Sequence, residues 1–382
     1  MTQTQAQILV VSFSNIAKDA RVLRQLGVVR EFGHVTTVGY GPNTGFADEH
    51  IQVPDSAKSL PQTVPGVAKL GLHLFEASEF AAPGLAYAHR QLRGRHFDAV
   101  IANDARALPV AFAAANDTAP VWVDLHEWAP EERTHVLSWR LLVAPYMTYL
   151  CKKYLPRTAH QTTVGRKIAE LYQEHFGVSP QLMRNAPAFV DLQPSETAPA
   201  RIRMVHSGGA VPGRALDKII QVARELDERF TLDLYLVPAN DGGKHLGELR
   251  ELARGCERIT FHDPVKPAEL PATLNQYDVG VFWIPPTNTN TRLALPNKLF
   301  DFIQGRLAIA VGPTIEMQKL VENYELGVIS AGYETDQIIA SLNTLTTEQI
   351  RHFKDNANVA ARDLCFETEA KVAREILREM VG

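Results

Sequence analysis

Cysteine is scarce in this chain. Cys151, Cys256 and Cys365 lie far apart and are odd in number. That argues against a disulfide framework and against a cysteine-based zinc site, and it fits a reducing compartment, the cytoplasm. An excess of one charge is also missing: the formal net charge is -4 over 382 residues, so there is no whole-protein case for nucleic acid as a partner. Long apolar runs are absent. The opening "MTQTQAQILVVSFSN" has no basic leading segment, and its apolar stretch is too short for a signal peptide or a spanning helix. The expectation is a soluble protein, with loose attachment to the inner membrane face left open. Neither G-x-x-x-x-G-K-[ST] nor G-x-G-x-x-G occurs, which excludes the two best-marked phosphate-binding loops. No cluster of histidines and acids calls for a metal, and there is no internal repeat, coiled coil or low-complexity tract.

What is present is alternation. The length exceeds the size at which a single core usually stops growing, so two domains are expected. In the first half, strand-like runs "QILVVS", "HVTTVGY", "FDAVIA", "APVWVD" and "HQTTV" alternate with helical segments such as "DARVLRQLGVVREFG" and "RALPVAFAAAN". A proline-rich stretch, "NAPAFVDLQPSETAPA", then interrupts the pattern. Afterwards strands "RIRMVHS", "FTLDLYLV", "RITFH", "DVGVFWI" and "LAIAVG" alternate with helices again. The predicted fold is α/β, with two Rossmann-like doubly wound domains facing a central cleft. The predicted boundaries are a first domain over 1–185, a connection over 186–200 and a second domain over 201–365. A C-terminal helix over 366–382 is able to cross back to the first domain.

The stretch "LPNKLFDFIQ" poses a question in electrostatics. A helix is predicted over 296–304 with proline at its first position, which puts Lys298 in the first turn, where a cation is disfavoured unless an anion shares the site. Asn297, Asp301 and Gln304 fall on one face with Lys298 on its flank, while Leu299, Phe300 and Ile303 turn to the sheet. A nucleoside diphosphate would satisfy this arrangement, its phosphates meeting Lys298 and free backbone N–H groups and its ribose donating to Asp301. The same residues also suit a surface helix with a solvated Lys298–Asp301 pair worth under about 1 kcal/mol. The loop "HSGGAVPGRALD" adds a second element: Gly208 and Gly209 follow a strand, and Arg214 opens the next helix, a context in which amides and a cation can surround a phosphate.

These stretches, together with "ITFHDPVKPAELPATLNQYDVGVFWI", resemble the donor-binding half of nucleotide-sugar glycosyltransferases with the GT-B fold, particularly glycosyltransferase family four. The similarity continues in the first half through "DARVLRQLGVVREFGHVTTVGY", "VWVDLHEWAPE", "TTVGRKIAELYQEHFG" and "MRNAP", and so covers most of the chain. The resemblance implies a sugar donor linked to UDP or GDP, with Arg214 and Lys298 on the diphosphate and Asp301 on the ribose. It places Val237, Pro264 and Val265 around the base and Gly208, Gly209, Asn297 and Leu299 among the donor contacts. Family members often carry E-x7-E here. This chain has Leu293 at the first place and Asp301 at the second, so the sugar contact is expected to pass to Asn297 or to residues 287–292.

His126 follows the strand "VWVD", and the resemblance makes it the first choice for the catalytic position, supporting developing positive charge through its ring or backbone carbonyl. Glu127 is a candidate base or electrostatic partner, and Asp124 is read as structural. Ser14, Asn15 and Arg21 would line the acceptor side or close on the phosphates. The competing reading has Asp19 capping a helix and Arg21 on its solvated face. The chemistry implied is transfer to an acceptor hydroxyl with retention of configuration, in polysaccharide, glycolipid or small-glycoside synthesis. No cofactor is required, although the diphosphate could carry Mg2+. Two alternatives stand beside it. One is a sugar-nucleotide epimerase, for which the chain offers His126, Glu127 and His206 as proton carriers. The other is a catalytically silent subunit of the same fold.

In "WRLLVAPYMTYLCKKYLPR", the apolar body with Lys152, Lys153 and Arg157 at its end reads as a core helix in preference to an interfacial one.

Overall fold

The computed structural model describes residues 5–134, 136–199 and 201–382. The first four residues of the N-terminal stretch and Ala200, the last residue of the expected connection, lie outside the described residues. Two compact units are formed, one from 1–184 with 369–382 and the other from 185–368.

The first unit contains β1 (Ala6–Asn15), β2 (Gly33–Tyr40), β3 (Glu49–Gln52), β4 (Ala99–Asn103), β5 (Val121–Leu125), β6 (His160–Thr163) and β7 (Gln181–Leu182). Their order in the sheet is β3-β2-β1-β4-β5-β6-β7, every pair parallel. Helices cover both faces, so the inner strands must be apolar on both sides, and β4 and β5 are buried along their whole length. The first helix, Ala20–Val29, begins where Asp19 caps it, its carboxylate accepting the Val22 N–H at 3.2 Å. Residues 369–382 complete the unit: Glu369 accepts from Arg184 at 2.6 Å and Arg374 from this helix donates to Glu31 at 2.8 Å. The helix Phe366–Val381 thus starts in one unit and ends in the other.

The second unit contains β8 (Ile202–Ala210), β9 (Phe230–Pro238), β10 (Ile259–His262), β11 (Val279–Phe282), β12 (Ala308–Val311) and β13 (Gly327–Ile329), in the order β10-β9-β8-β11-β12-β13, again all parallel. Alternate residues of β11 feed two cores. Val279 and Val281 pack with Leu216, Ile219 and Ile220 of the helix Leu216–Glu225. Phe282, on the opposite face, packs with Leu299, Phe300, Phe302 and Ile303 of the helix Asn297–Gln304.

Three differences from the sequence reading have physical causes. β3, β7 and β13 were not expected, because each is short, lies at or near a sheet edge and lacks a buried apolar run. The expected connection belongs from Asn185 onward to the second unit. Ala186 is buried, Gln304 accepts the Val190 N–H at 3.1 Å, Arg306 donates to the Val190 carbonyl at 2.6 Å, and Lys354 donates to Ser195 at 2.8 Å. Gln304 is therefore a buried strut, not part of a polar face. Finally, β8 runs on through Gly208 and Gly209 to Ala210, which pairs with Pro238, so the glycines sit in the strand end and not in a loop.

Candidate functional site

In parallel sheets the loops after the strands gather at one edge, and both units place polar groups there. In the second unit the helix Asn297–Gln304 begins one residue after Pro296, which serves as its N-cap. Lys298 then points inward, not along the flank of a polar face. It is buried, its ammonium lies 3.0 Å from His206 Nε2 and 4.3 Å from the centre of the Phe282 ring, and Gly208 leaves it room: a Cβ there would stand 3.1 Å from Lys298 Nζ. His206 is fully buried, and its Nδ1–H donates to the Val281 carbonyl at 2.8 Å, so Nε2 is the acceptor that receives the ammonium. Burial and the nearby Lys298 and Arg214 charges hold His206 neutral, well below the usual histidine range. Burial, reinforced by Arg214, lowers Lys298 to about 7, while Asp301 pulls weakly the other way. The solvated Lys298–Asp301 pair is therefore replaced by a buried lysine on a neutral histidine.

Arg214 does not open the helix. It lies in the exposed turn two residues before Leu216, next to Ala215, whose φ is +52°. No hydrogen bond or ion pair engages its side chain among the described residues. A cation without a carboxylate beside a lysine that burial is discharging is a site short of negative charge. The remaining donor candidates divide. Val237 lies within the last pairs of β9, opposite Gly209, and Pro264 and Val265 follow the end of β10 at His262. Asn297 is exposed and Asp301 half-buried on the outer side of their helix. Leu299 is a correction: its side chain lies in the core and its N–H bonds the Pro296 carbonyl at 3.1 Å, leaving it nothing for a ligand. Leu293 is likewise buried, and residues 289–292 form a helical turn capped by Asn288.

In the first unit a buried network supports His126, one residue past β5. Asp124 is fully buried and accepts from Arg21 Nε at 2.8 Å, Arg21 Nη2 at 2.6 Å and Thr162 Oγ1 at 2.7 Å. Arg21 is thus not on a solvated face. It is buried and spent on Asp124, and it reaches no acceptor directly. Burial opposes the Asp124 charge, but Arg21 and His126 outweigh it and keep the carboxylate well below its usual range. His126 Nε2 lies 3.2 Å from Asn103 Oδ1 and 3.4 Å from Asp124 Oδ2, and Nδ1 lies 3.4 Å from Asp104 Oδ2. Asn103 Nδ2 already donates to Gln25 at 2.9 Å, so its oxygen faces the ring. Every neighbour is an acceptor, which requires both ring nitrogens to carry hydrogen. Burial works against the charge, yet Asp104 and Asp124 raise the ring to about 9.

Asp104 was missed by the sequence reading. It follows β4 with φ of +66°, a conformation that costs a non-glycine residue roughly 1–3 kcal/mol, and its carboxylate also accepts the His126 N–H at 3.0 Å. The signal that could have found it is its place directly after the apolar run "AVIAN". Glu127 is lifted by burial, and then by Glu132 and Asp104, to about 8, so it holds its proton at neutral pH. Its carbonyl is fixed by the Tyr172 hydroxyl at 2.8 Å. Ser14 shares a hydrogen bond with Ser12 at 2.9 Å, and Asn15 has its Oδ1 buried without a partner among the described residues. Among the described residues, no three His, Cys, Asp or Glu side chains gather as a metal site, and no helix is long and apolar enough to cross a membrane.

Residues 29–194 match the model of Glycosyltransferase Family 4. Among solved structures, Anabaena HepE in complex with UDP-glucose is similar over 98% of this chain and 100% of its own, at 14% identity and a TM-score of 0.69. Sucrose-phosphate synthase from Thermosynechococcus elongatus is similar over 98% and 99%, at 10% identity and a TM-score of 0.70. WaaG, a glycosyltransferase involved in lipopolysaccharide biosynthesis, is similar over 97% and 99%, at 13% identity and a TM-score of 0.65. No curated protein sequence matches. The match to Glycosyltransferase Family 4 thus lies in the first unit and the start of the second, and the two parallel Rossmann-like sheets share the GT-B fold of these solved structures.

Proposed function

We propose that this enzyme transfers a sugar from UDP to an acceptor hydroxyl with retention of configuration. The observation that carries the proposal is the cationic end of the second sheet: Lys298 buried on neutral His206, with Arg214 nearby and unpaired among the described residues. A diphosphate supplies the missing negative charge, and it is also the charge that grows as the sugar leaves. UDP is favoured over GDP because HepE, similar throughout, was solved with UDP-glucose. In the reaction the bond from C1 to the phosphate oxygen breaks as the acceptor oxygen bonds to C1, and the acceptor proton passes to the departing phosphate oxygen.

The protonation states in the first unit favour this route over one with a protein base. His126 is charged and Glu127 is protonated at neutral pH, so both donate hydrogen bonds and neither is ready to take a proton. We assign His126 and the fixed Glu127 carbonyl to contacts with the transferring sugar, and Ser14 and Asn15 to the acceptor. The same states count against the epimerase, which needs a proton acceptor at once. No resident cofactor enters this reading; Mg2+ would arrive with the diphosphate. Incubation with UDP-glucose and candidate acceptors, followed by proton NMR, tests it. Release of UDP with an α-linked product is expected. A changed sugar still attached to UDP would establish epimerisation, and binding without turnover would establish a silent subunit.

A further inference from the structure

The first unit carries two adjoining cavities whose linings differ in chemistry. One, of about 460 Å³, is bounded by Asn15, Tyr40, Lys58, Arg106, Arg133 and Trp139, with Asp55 among its remaining wall residues. The other, of about 270 Å³, is bounded largely by Val67, Leu70, Val136, Leu142 and Val143. Leu60, Gln62, Arg133 and Trp139 belong to both walls, so the two are one continuous depression with a polar and an apolar end.

The polar end is built and unfilled in its bonding. Trp139 is buried, yet among the described residues its Nε1–H has no partner, and the buried atoms Arg106 Nε and Asn15 Oδ1 have none there either. Groups of this kind are ordinarily bonded in a folded protein. Two donors and one acceptor along one wall suit an oxygen-rich ligand. Its charge follows from the count of neighbours. Glu132 accepts from Arg106 at 2.9 Å and lies 3.7 Å from Arg133, so one acid serves two guanidinium groups. Lys58 is exposed and, among the described residues, donates only to the Asp55 carbonyl, at 3.3 Å. Among the described residues Lys58, Arg106 and Arg133 stand against Asp55 of the wall and Glu132 behind it, an excess of one positive charge.

The apolar end opens onto exposed apolar side chains from two segments that pack together. Val67 lies on the helix Val64–Gly71, and Val136 and Leu142 lie on or just before the turn Trp139–Val143; Leu142 comes within 3.9 Å of the space beside Gly71. Val67 and Val136 remain 42% and 41% exposed, and Leu141 is 58% exposed. Apolar groups grouped in this way around a cavity mark a binding surface, whereas scattered ones do not.

From this pairing we infer that the acceptor of this enzyme is an amphiphile, with an anionic, oxygen-rich head in the larger cavity and an apolar chain in the smaller. The inference rests on the reading above for the word acceptor, but not for the binding itself. Arg106 also acts electrostatically on Glu127, which brings the head end next to the residues assigned to the sugar.

The test is calorimetric binding to the full chain below micelle-forming concentration, with n-octyl phosphate, n-octyl glucoside and inorganic phosphate as probes, and UDP titrated in parallel. Octyl phosphate is expected to bind at least tenfold more tightly than either other probe. Lys58→Gln, at an exposed position, should weaken octyl phosphate about fivefold and leave octyl glucoside unchanged. Leu142→Asn should weaken both octyl compounds, and Trp139→Phe, which keeps the ring and removes the N–H, should weaken octyl phosphate alone. Equal binding of octyl phosphate and octyl glucoside would remove the anionic head from the proposal, and equal binding of octyl phosphate and inorganic phosphate would remove the chain. Absence of octyl phosphate binding while UDP binds would overturn this inference alone; absence of UDP binding while octyl phosphate binds would overturn the donor reading and with it the name acceptor.

Discussion

If the buried lysine is the diphosphate's partner, UDP binding must draw a proton from solution. Lys298 is lowered to about 7 from an ordinary 10.5, so at pH 8 about nine molecules in ten of the free protein carry it uncharged. A bound diphosphate restores the charge, and each UDP should then take up about 0.9 proton at that pH. The complex holds more protons than the free protein, so affinity should fall about tenfold per pH unit above 7. The corresponding burden on the fold is the difference between 10.5 and about 7, roughly 5 kcal/mol, which is fully present below pH 7 and relieved as pH rises toward 10.5. Calorimetry of UDP binding at pH 8 in Tris, tricine and HEPES, whose ionisation enthalpies differ, reads the proton uptake directly. Lys298→Arg keeps the charge without titrating in this range and should bind with no uptake. Uptake below about 0.2 proton in the wild type, or equal uptake in Lys298→Arg, would refute the assignment of Lys298 to the phosphates.

Four further outcomes are expected. Arg214→Ala should weaken UDP about tenfold with an unchanged melting temperature, since Arg214 is exposed, and should move the proton-uptake curve to higher pH because burial then lowers Lys298 without the added repulsion of Arg214. The His126 ring should titrate near pH 9 by nitrogen NMR; its stabilisation is complete below pH 6.5 and fades as pH rises through 9, and a midpoint near 6.5 would remove the two-carboxylate account. His126→Ala should lower turnover at least a hundredfold while leaving the UDP dissociation constant within twofold. Asp124→Ala leaves Arg21 buried without its partner and should cost about 3–5 kcal/mol of stability in urea unfolding; a loss under about 1 kcal/mol would contradict the buried pair.

The two sheets were legible because strands buried on both faces leave contiguous apolar runs such as "AVIAN" and "VWVDL", whereas β3, "EHIQ", leaves none. The identity of Lys298 was legible from its helix position, but its burial was not. That depends on His206, 92 residues earlier, and on the face that Phe282 presents from β11. The competing reading put Arg21 on the solvated side for the same reason: helical periodicity assigns a charged residue to solvent unless its counter-ion is known, and Asp124 lies 103 positions away. The acceptor-side depression is assembled from segments around residues 15, 40, 60, 67, 106 and 140, and no local pattern joins them.

The helix that begins at Phe366 has a consequence for biosynthesis. Ala370, Ala373, Ile376 and Leu377 are interior residues of the unit that the ribosome starts first, yet they are translated after everything else in the second. The earlier-made half must therefore wait, with apolar surface uncovered, while the later-made half has all its own strands and closes. A nascent chain stalled before residue 369 would lack these four side chains of the first unit's interior while already holding every strand of the second.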